Sequence, residues 1–168
     1  KKLGHVVVKE FLGAGAMGVV YKGVHAYLGT NVAVKFMTQA ISHNDEFVQR
    51  FMREARIMAS VDHPNVVRVM DAGESECLHY MVMELIEGMS LSDYVTKKVR
   101  ISYNEAISII RECVNGLDAA NEKKIIHRDI KPANIMITTT GNVKVADFGL
   151  AKLVEGSMGA TGSGQMMG

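Results

Sequence analysis

The sequence lacks an excess of charge of either sign. Its 168 residues include 19 Lys and Arg against 18 Asp and Glu, and the basic residues are scattered along the chain. A nucleic-acid-binding domain typically concentrates basic side chains on one face. The composition therefore gives no electrostatic footprint for DNA or RNA, and we expect no nucleic-acid partner.

Cysteines and long apolar runs are also scarce. Cys77 and Cys113 have no Cys-x-x-Cys spacing, which favours buried thiols in a reducing compartment over a disulfide framework, although one disulfide between them stays open. No apolar run approaches the roughly 20 residues of a membrane-spanning helix, and no signal-peptide pattern opens the sequence. We expect a soluble, cytoplasmic polypeptide, with a membrane anchor outside this sequence left open.

The first half of the sequence predicts a small antiparallel sheet with one helix. Val-rich runs broken by glycine predict five strands, at 5–12, 19–26, 30–37, 66–72 and 78–84. Apolar residues at three- and four-residue steps predict an amphipathic helix over 45–60.

The second half changes to a mainly helical pattern. Ser102 and Glu105 have the spacing of a capping box, so we predict a helix over 103–123. Its buried stripe is expected to be Ile107, Ile110, Val114 and Leu117. Two short strands and a hairpin turn follow around Gly141. We divide the chain into a small lobe, a connector and a partial second lobe, with bounds 1–84, 85–88 and 89–168.

A glycine-rich segment, Gly13-Ala14-Gly15-Ala16-Met17-Gly18, has the Gly-x-Gly-x-x-Gly spacing. A strand-like run follows it, whereas dinucleotide-binding folds place a helix there. A Walker loop is excluded because Gly-Lys-Ser/Thr is missing. The glycines therefore predict a strand-turn-strand flap whose backbone N–H groups approach phosphate oxygens. An ordinary glycine-rich hairpin is the alternative for this segment alone.

A candidate cation follows at Lys35. The alternation Val32-Ala33-Val34-Lys35 places Ala33 and Lys35 on one face of a strand. Helical spacing places Glu54 on the inward face of the predicted helix. Because a carboxylate there needs a partner, we predict a Lys35–Glu54 ion pair. A solvated Glu54 at the helix edge is the alternative.

Acidic and amide side chains cluster further on. Asn134 follows Asp129 by five residues, and Asp147 follows Asp129 by eighteen. This is the layout that phosphoryl transfer needs, because one group orients a hydroxyl while two hold magnesium. The histidines show no metal-ligand spacing, which argues against a zinc site.

Taken together, these segments resemble a Ser/Thr protein kinase, most closely the bacterial, eukaryotic-like group. The resemblance implies an α+β, protein-kinase-like fold with a five-stranded antiparallel small lobe and one helix. It also implies a partial, mainly helical second lobe that stops within the activation segment. The implied activity is transfer of the ATP γ-phosphate to protein Ser/Thr hydroxyls with Mg²⁺, or with Mn²⁺ as the alternative metal.

The resemblance also implies a role for each site residue. Asp129 would accept or orient the substrate hydroxyl proton, Lys131 would contact the transferred phosphate, and Asn134 and Asp147 would hold the metal. Lys35, held by Glu54, would bind the α- and β-phosphates. The implied nucleotide-binding set is Leu12, Gly13, Ala14, Gly15, Ala16, Met17, Gly18, Val20, Ala33, Lys35, Met83, Glu84, Ile86 and Met136.

Within that set, Val20, Ala33 and Met136 would enclose adenine, Met83 would be the gatekeeper, and the backbone of Glu84 and Ile86 would bond the base. His127 and Phe148 would form an internal spine with Met58 and Val69. Arg128, expected to be buried, would meet a phosphorylated activation loop, whose candidate sites are Ser157, Thr161 and Ser163.

A rival hypothesis is a catalytically silent nucleotide-binding or scaffolding module. The family's substrate-docking turn and later helices are not in this sequence. We therefore expect the chain alone to bind ATP without transfer, and to self-associate through the partly exposed face of helix 103–123.

Overall fold

The structure, a computed structural model, describes residues 2–15, 18–37, 45–76 and 78–148, without the side chains of residues 46, 47, 50 and 54. The strands are β1 (Lys2–Leu3), β2 (Val6–Gly15), β3 (Gly18–His25), β4 (Asn31–Met37), β5 (Val69–Ser75), β6 (Leu78–Glu84), β7 (Gly88–Ser90), β8 (Ile135–Thr138) and β9 (Val143–Val145). The helices are α1 (Asp45–Met58), α2 (Leu91–Lys98) and α3 (Tyr103–Glu122), with a 3₁₀ turn at Pro132–Asn134. Within these ranges, every helix is too short or too polar to cross a membrane.

The small lobe is an antiparallel sheet in the order β1-β2-β3-β4-β6-β5, with α1 packed against it. The α+β architecture is confirmed, but among the described residues the sheet of the small lobe has six strands rather than five. The added strand β1 is two residues long, and Leu3 is buried where it pairs with β2. Strand β5 also starts later than predicted, because Val66 bridges to Val145 instead of pairing with β6.

The two faces of β4 differ, as the alternation from Val32 to Lys35 predicted. Val32 and Val34 lie in an outer core with Tyr80. Lys35 is the register partner of Met81, and Ala33 is the partner of Met83, so these side chains share the opposite face. That face looks toward the core formed by α1 and the second lobe.

Helix α3 begins as predicted, since the Ser102 hydroxyl accepts a hydrogen bond from the Glu105 N–H at 3.2 Å. Its predicted apolar stripe is buried only in part, as we expected for this chain. Ile107, Ile110 and Val114 are 38%, 58% and 55% exposed, and of that stripe Leu117 packs on the core. The buried face is instead Ile109, Cys113, Gly116 and Ala120.

Glycine at position 116 explains this choice of face. A Cβ built there would lie 2.4 Å from the backbone oxygen of Asn65, so only glycine lets the helix approach the loop before β5 this closely. Three of the four residues on the contact face, Cys113, Gly116 and Ala120, are small, whereas Ile107 and Ile110 on the other face stay exposed.

A polar network fixes the β8–β9 hairpin next to α3 and the small lobe. The Asn65 side-chain amide donates to Val143 O at 2.8 Å and to Glu112 Oε2 at 3.0 Å. The same Glu112 oxygen accepts the Val143 N–H at 2.8 Å. Asn65 O also accepts the Val145 N–H at 2.8 Å. Asp147 follows this strand by two residues, so the network positions it.

Candidate active site

The glycine-rich segment forms a tight hairpin between β2 and β3. Gly13 is the register partner of Val20, and Gly15 is the partner of Gly18. Gly18 has φ +150°, and a Cβ there would lie 1.8 Å from the Phe36 oxygen. Glycine therefore lets the flap lie against β4. Ala16 and Met17 lie outside the described residues.

Lys35 is buried and forms an ion pair across the site. Its Nζ lies 2.7 Å from Asp147 Oδ1, and the two side chains are 7% and 37% exposed. Asp147 has φ +58°, a left-handed conformation that Asp tolerates better than most residues. The predicted Lys35–Glu54 pair involves a side chain outside the described residues and stays a prediction. The structure thus joins the predicted phosphate-binding cation to a predicted metal ligand.

Asp129 is held between Lys131 and Asn134. Its Oδ2 lies 2.7 Å from Lys131 Nζ and accepts a 3.0 Å hydrogen bond from Asn134 Nδ2. The Lys131 bond, helped by Asn134, lowers the pKa of Asp129 below its usual value. Asp129 is therefore ionised at neutral pH.

Asn134 links the segment that carries Asp129 to the segment that carries Asp147. Its Nδ2 also donates to the backbone oxygen of Asp129 at 2.9 Å, while its own backbone oxygen accepts the Ala146 N–H at 2.9 Å. Both side-chain bonds use Nδ2, whereas a metal would take the amide oxygen Oδ1. Asn134 and Asp147 are thus two oxygen-bearing side chains on segments that are bonded together. This chemistry fits Mg²⁺, which prefers oxygen ligands.

His127 contacts the predicted catalytic loop, the segment 127–134 that carries Asp129. The Asp129 N–H donates to its Nδ1 at 3.3 Å, so Nε2 carries the proton and donates to Ala146 O at 2.8 Å. Its ring centroid is 4.6 Å from that of Phe148. Burial lowers the pKa of His127 despite the neighbouring carboxylates. The ring is therefore neutral at pH 7, and it joins the catalytic loop to the Asp147 segment.

The internal spine and the predicted adenine site lie beside each other. Phe148 shares a core with Met58 and Val69, and these three line a cavity together with Val67, Met81, Met83 and Asp147. Val20 is the register partner of Lys35, on the face that carries Ala33. Met136 lies on β8 in the other lobe, and Leu12 is a half-exposed residue of β2.

Only one of the two backbone hydrogen-bonding groups of Glu84, the residue before the connector, is available to a base. The Glu84 N–H already donates to Arg68 O at 3.0 Å. Glu84 can therefore offer a base its carbonyl oxygen but not its N–H. Ile86 stays a predicted contact.

Arg128 does not lie where we expected. Its side chain is exposed and its φ is +65°, so the prediction of a buried guanidinium was wrong. The backbone turn between His127 and Asp129 directs it outward. The candidate phosphorylation sites Ser157, Thr161 and Ser163 lie outside the described residues.

Known proteins have sequences similar to this chain. Residues 6–164 match the family described as the protein kinase domain. The chain belongs to this family. It is 42% identical over 147 residues to the probable serine/threonine-protein kinase PknB of Lactococcus lactis, and 40% identical over 148 residues to the serine/threonine-protein kinase PrkC of Bacillus subtilis. These bacterial relatives confirm the resemblance to Ser/Thr protein kinases.

A solved protein kinase has the same fold. The crystal structure of the Mycobacterium tuberculosis PknI kinase domain matches with a TM-score of 0.82 at 29% identity, over 90% of this chain and 62% of that one. The matches to PknB and PrkC cover 87% and 88% of this chain but 23% of each relative. The chain thus spans under a quarter of these curated relatives.

Sequence reasoning missed two polar clusters next to the candidate site: the Asn65–Glu112 network and an ion pair between Glu84 and Lys144, 2.8 Å apart. A weak signal existed for the second, since Lys144 lies between two valines of a short strand. A charged side chain in a strand with buried valines on either side needs a partner, but residue spacing does not show which residue that partner is.

Proposed function

We propose that the protein carrying this sequence transfers the γ-phosphate of ATP to Ser or Thr hydroxyls of proteins. The observation that carries this proposal is the joining of three sequence-distant groups in one site. Lys35 bonds Asp147, and Asn134 bonds Asp129 while its backbone bonds the residue before Asp147.

Each residue has a proposed task in the reaction. Asp129 accepts a hydrogen bond from the substrate hydroxyl and orients it for in-line attack. Its lowered pKa makes it a weak base, which favours orientation over early proton removal. Lys131, 52% exposed beside it, is available to a transferred phosphate. Lys35 contacts the α- and β-phosphates, where its charge offsets theirs.

Asn134 and Asp147 would hold the divalent metal, Mg²⁺ or alternatively Mn²⁺. When bound, the metal neutralises charge on the β- and γ-phosphates. The nucleotide-binding set given above would enclose the base and phosphates. The Lys35–Asp147 bond supports this assignment, because Lys35 and a metal held by Asp147 would both act on the β-phosphate.

The cellular setting is also a proposal. A cytoplasmic location is supported by Cys113, which is buried with a free thiol.

Self-association through α3 is supported by the exposed Ile110 and Val114. Sedimentation velocity of the chain and of an Ile110→Ser variant tests that contact, and an equally small sedimentation coefficient for both would exclude it.

The decisive test separates a kinase from a silent binding module. In the intact protein that carries this sequence, Asp129→Ala should retain MgATP affinity but lose at least about 100-fold in transfer to a Ser/Thr peptide. Asp118→Asn, an exposed acidic residue of α3, is the matched control and should keep full transfer. Equal transfer by Asp129→Ala and the control would refute the proposal.

A further inference from the structure

The ion pair between Lys144 and Glu84 crosses from β9 to the end of β6. Lys144 Nζ lies 2.8 Å from Glu84 Oε1, and their side chains are 17% and 29% exposed. The same Glu84 oxygen accepts the Arg68 N–H at 2.8 Å, while the Glu84 N–H donates to Arg68 O at 3.0 Å. Lys144 also approaches Val66 O at 3.4 Å. Glu84 is therefore held by both its backbone and its side chain.

The position of this pair relates it to nucleotide binding. Glu84 is the last residue before the connector, and its carbonyl is the proposed partner of the base. Lys144 is the register partner of Met136, the proposed floor beneath the base, and it precedes Asp147 by three residues. One ion pair thus joins the edge of the base site to β9, which pairs with the strand that carries the floor and leads to the metal ligand.

We infer that Lys144 and Glu84 act as a positioning pair that sets nucleotide affinity, an inference that rests on the proposed function. With the pair intact, the Glu84 carbonyl and Met136 keep a fixed separation before the nucleotide arrives. Without it, part of the binding energy must be spent on ordering the connector.

Another ion pair of the same length offers a contrast. Lys98 Nζ lies 2.7 Å from Glu105 Oε1, but Lys98 is 48% exposed and the pair joins α2 to the start of α3. It lies within the second lobe and connects no nucleotide-binding residue. Water solvates such a pair well, so its loss should have little effect.

The experiment is calorimetric titration of the full protein with ADP and Mg²⁺. Lys144→Met should weaken ADP affinity roughly five-fold, and Glu84→Gln should weaken it similarly. Lys144→Arg keeps the charge and should restore affinity to within about two-fold. Lys98→Met is the matched control and should bind like the unmodified protein. Thermal unfolding of each variant checks that it is folded.

A second readout separates positioning from a general loss of structure. Hydrogen exchange at the Arg68 and Glu84 amides should quicken in Lys144→Met, while exchange in α3 stays unchanged. Unchanged ADP affinity in Lys144→Met, or an equal loss in Lys98→Met, would overturn the inference alone. Failure of the unmodified protein to bind ADP would overturn the proposed function and the inference with it.

Discussion

Removing the two partners of the Lys35–Asp147 bond should have unequal effects on stability. In Asp147→Asn, the Lys35 ammonium keeps a neutral oxygen partner at position 147 but loses the negative charge of that partner, and its side chain is 7% exposed. Removing one partner of a fully buried pair costs about 3–5 kcal/mol. Because the amide oxygen still accepts a hydrogen bond, we expect about 1.5–3 kcal/mol here. Asn also tolerates the φ of +58° at this position.

Lys35→Met should cost less. The remaining Asp147 carboxylate is 37% exposed, so water replaces much of the lost bond, and the burial cost of the ammonium disappears. We expect about 0–1 kcal/mol. The double variant should regain most of the stability lost in Asp147→Asn, since it removes both charges.

Urea unfolding in chelator without nucleotide measures these differences free of ligand stabilisation. Asp147→Asn should lower the free energy of unfolding by at least about 1 kcal/mol more than Lys35→Met does. A Lys35→Met variant as destabilised as Asp147→Asn would refute the argument that burial of the remaining charge sets the cost.

Three further predictions concern backbone strain, close packing and pH. Val99, at the end of α2, has φ +64° and is 81% exposed. Val99→Gly should therefore raise the free energy of unfolding, measured by urea denaturation, by about 1 kcal/mol; an unchanged urea midpoint would contradict it. Gly18→Ala must displace the backbone near Phe36 O and should cost about 2 kcal/mol and weaken MgATP binding, which a variant with wild-type affinity would disprove. The lowered pKa of His127 means that the unfolded chain binds its proton first, so stability should fall as pH drops below about 6.5; the fall between pH 7.5 and 5.5 should be smaller in His127→Gln, and an equal fall in both would exclude this cause.

Local patterns predicted much of the fold. The alternation from Val32 to Lys35 gave the faces of β4, and Ser102 marked the start of α3, because both features depend on neighbouring residues. The buried face of α3 depended instead on a contact with Asn65 that only Gly116 permits. Apolar residues occur on both faces of this helix, so periodicity alone identified the partly exposed face and not the face that packs on the core.

The candidate site shows the same division. The types and spacing of Asp129, Asn134 and Asp147 were readable as phosphoryl-transfer chemistry. The hydrogen-bond partners of the side chains could not be predicted, because Lys35 bonds a residue 112 positions away and Lys144 bonds one 60 positions away. Such pairs depend on how the lobes meet, which no local pattern describes.

The most direct test of the central claim is transfer of γ-labelled phosphate from MgATP by the intact protein that carries this sequence. Peptides with a single Ser, Thr or Tyr serve as acceptors, and Asp147→Asn runs in parallel. The account predicts label on Ser and Thr peptides, with incorporation lost in Asp147→Asn and in chelator. Label on the Tyr peptide alone, or transfer unaffected by Asp147→Asn, would contradict it.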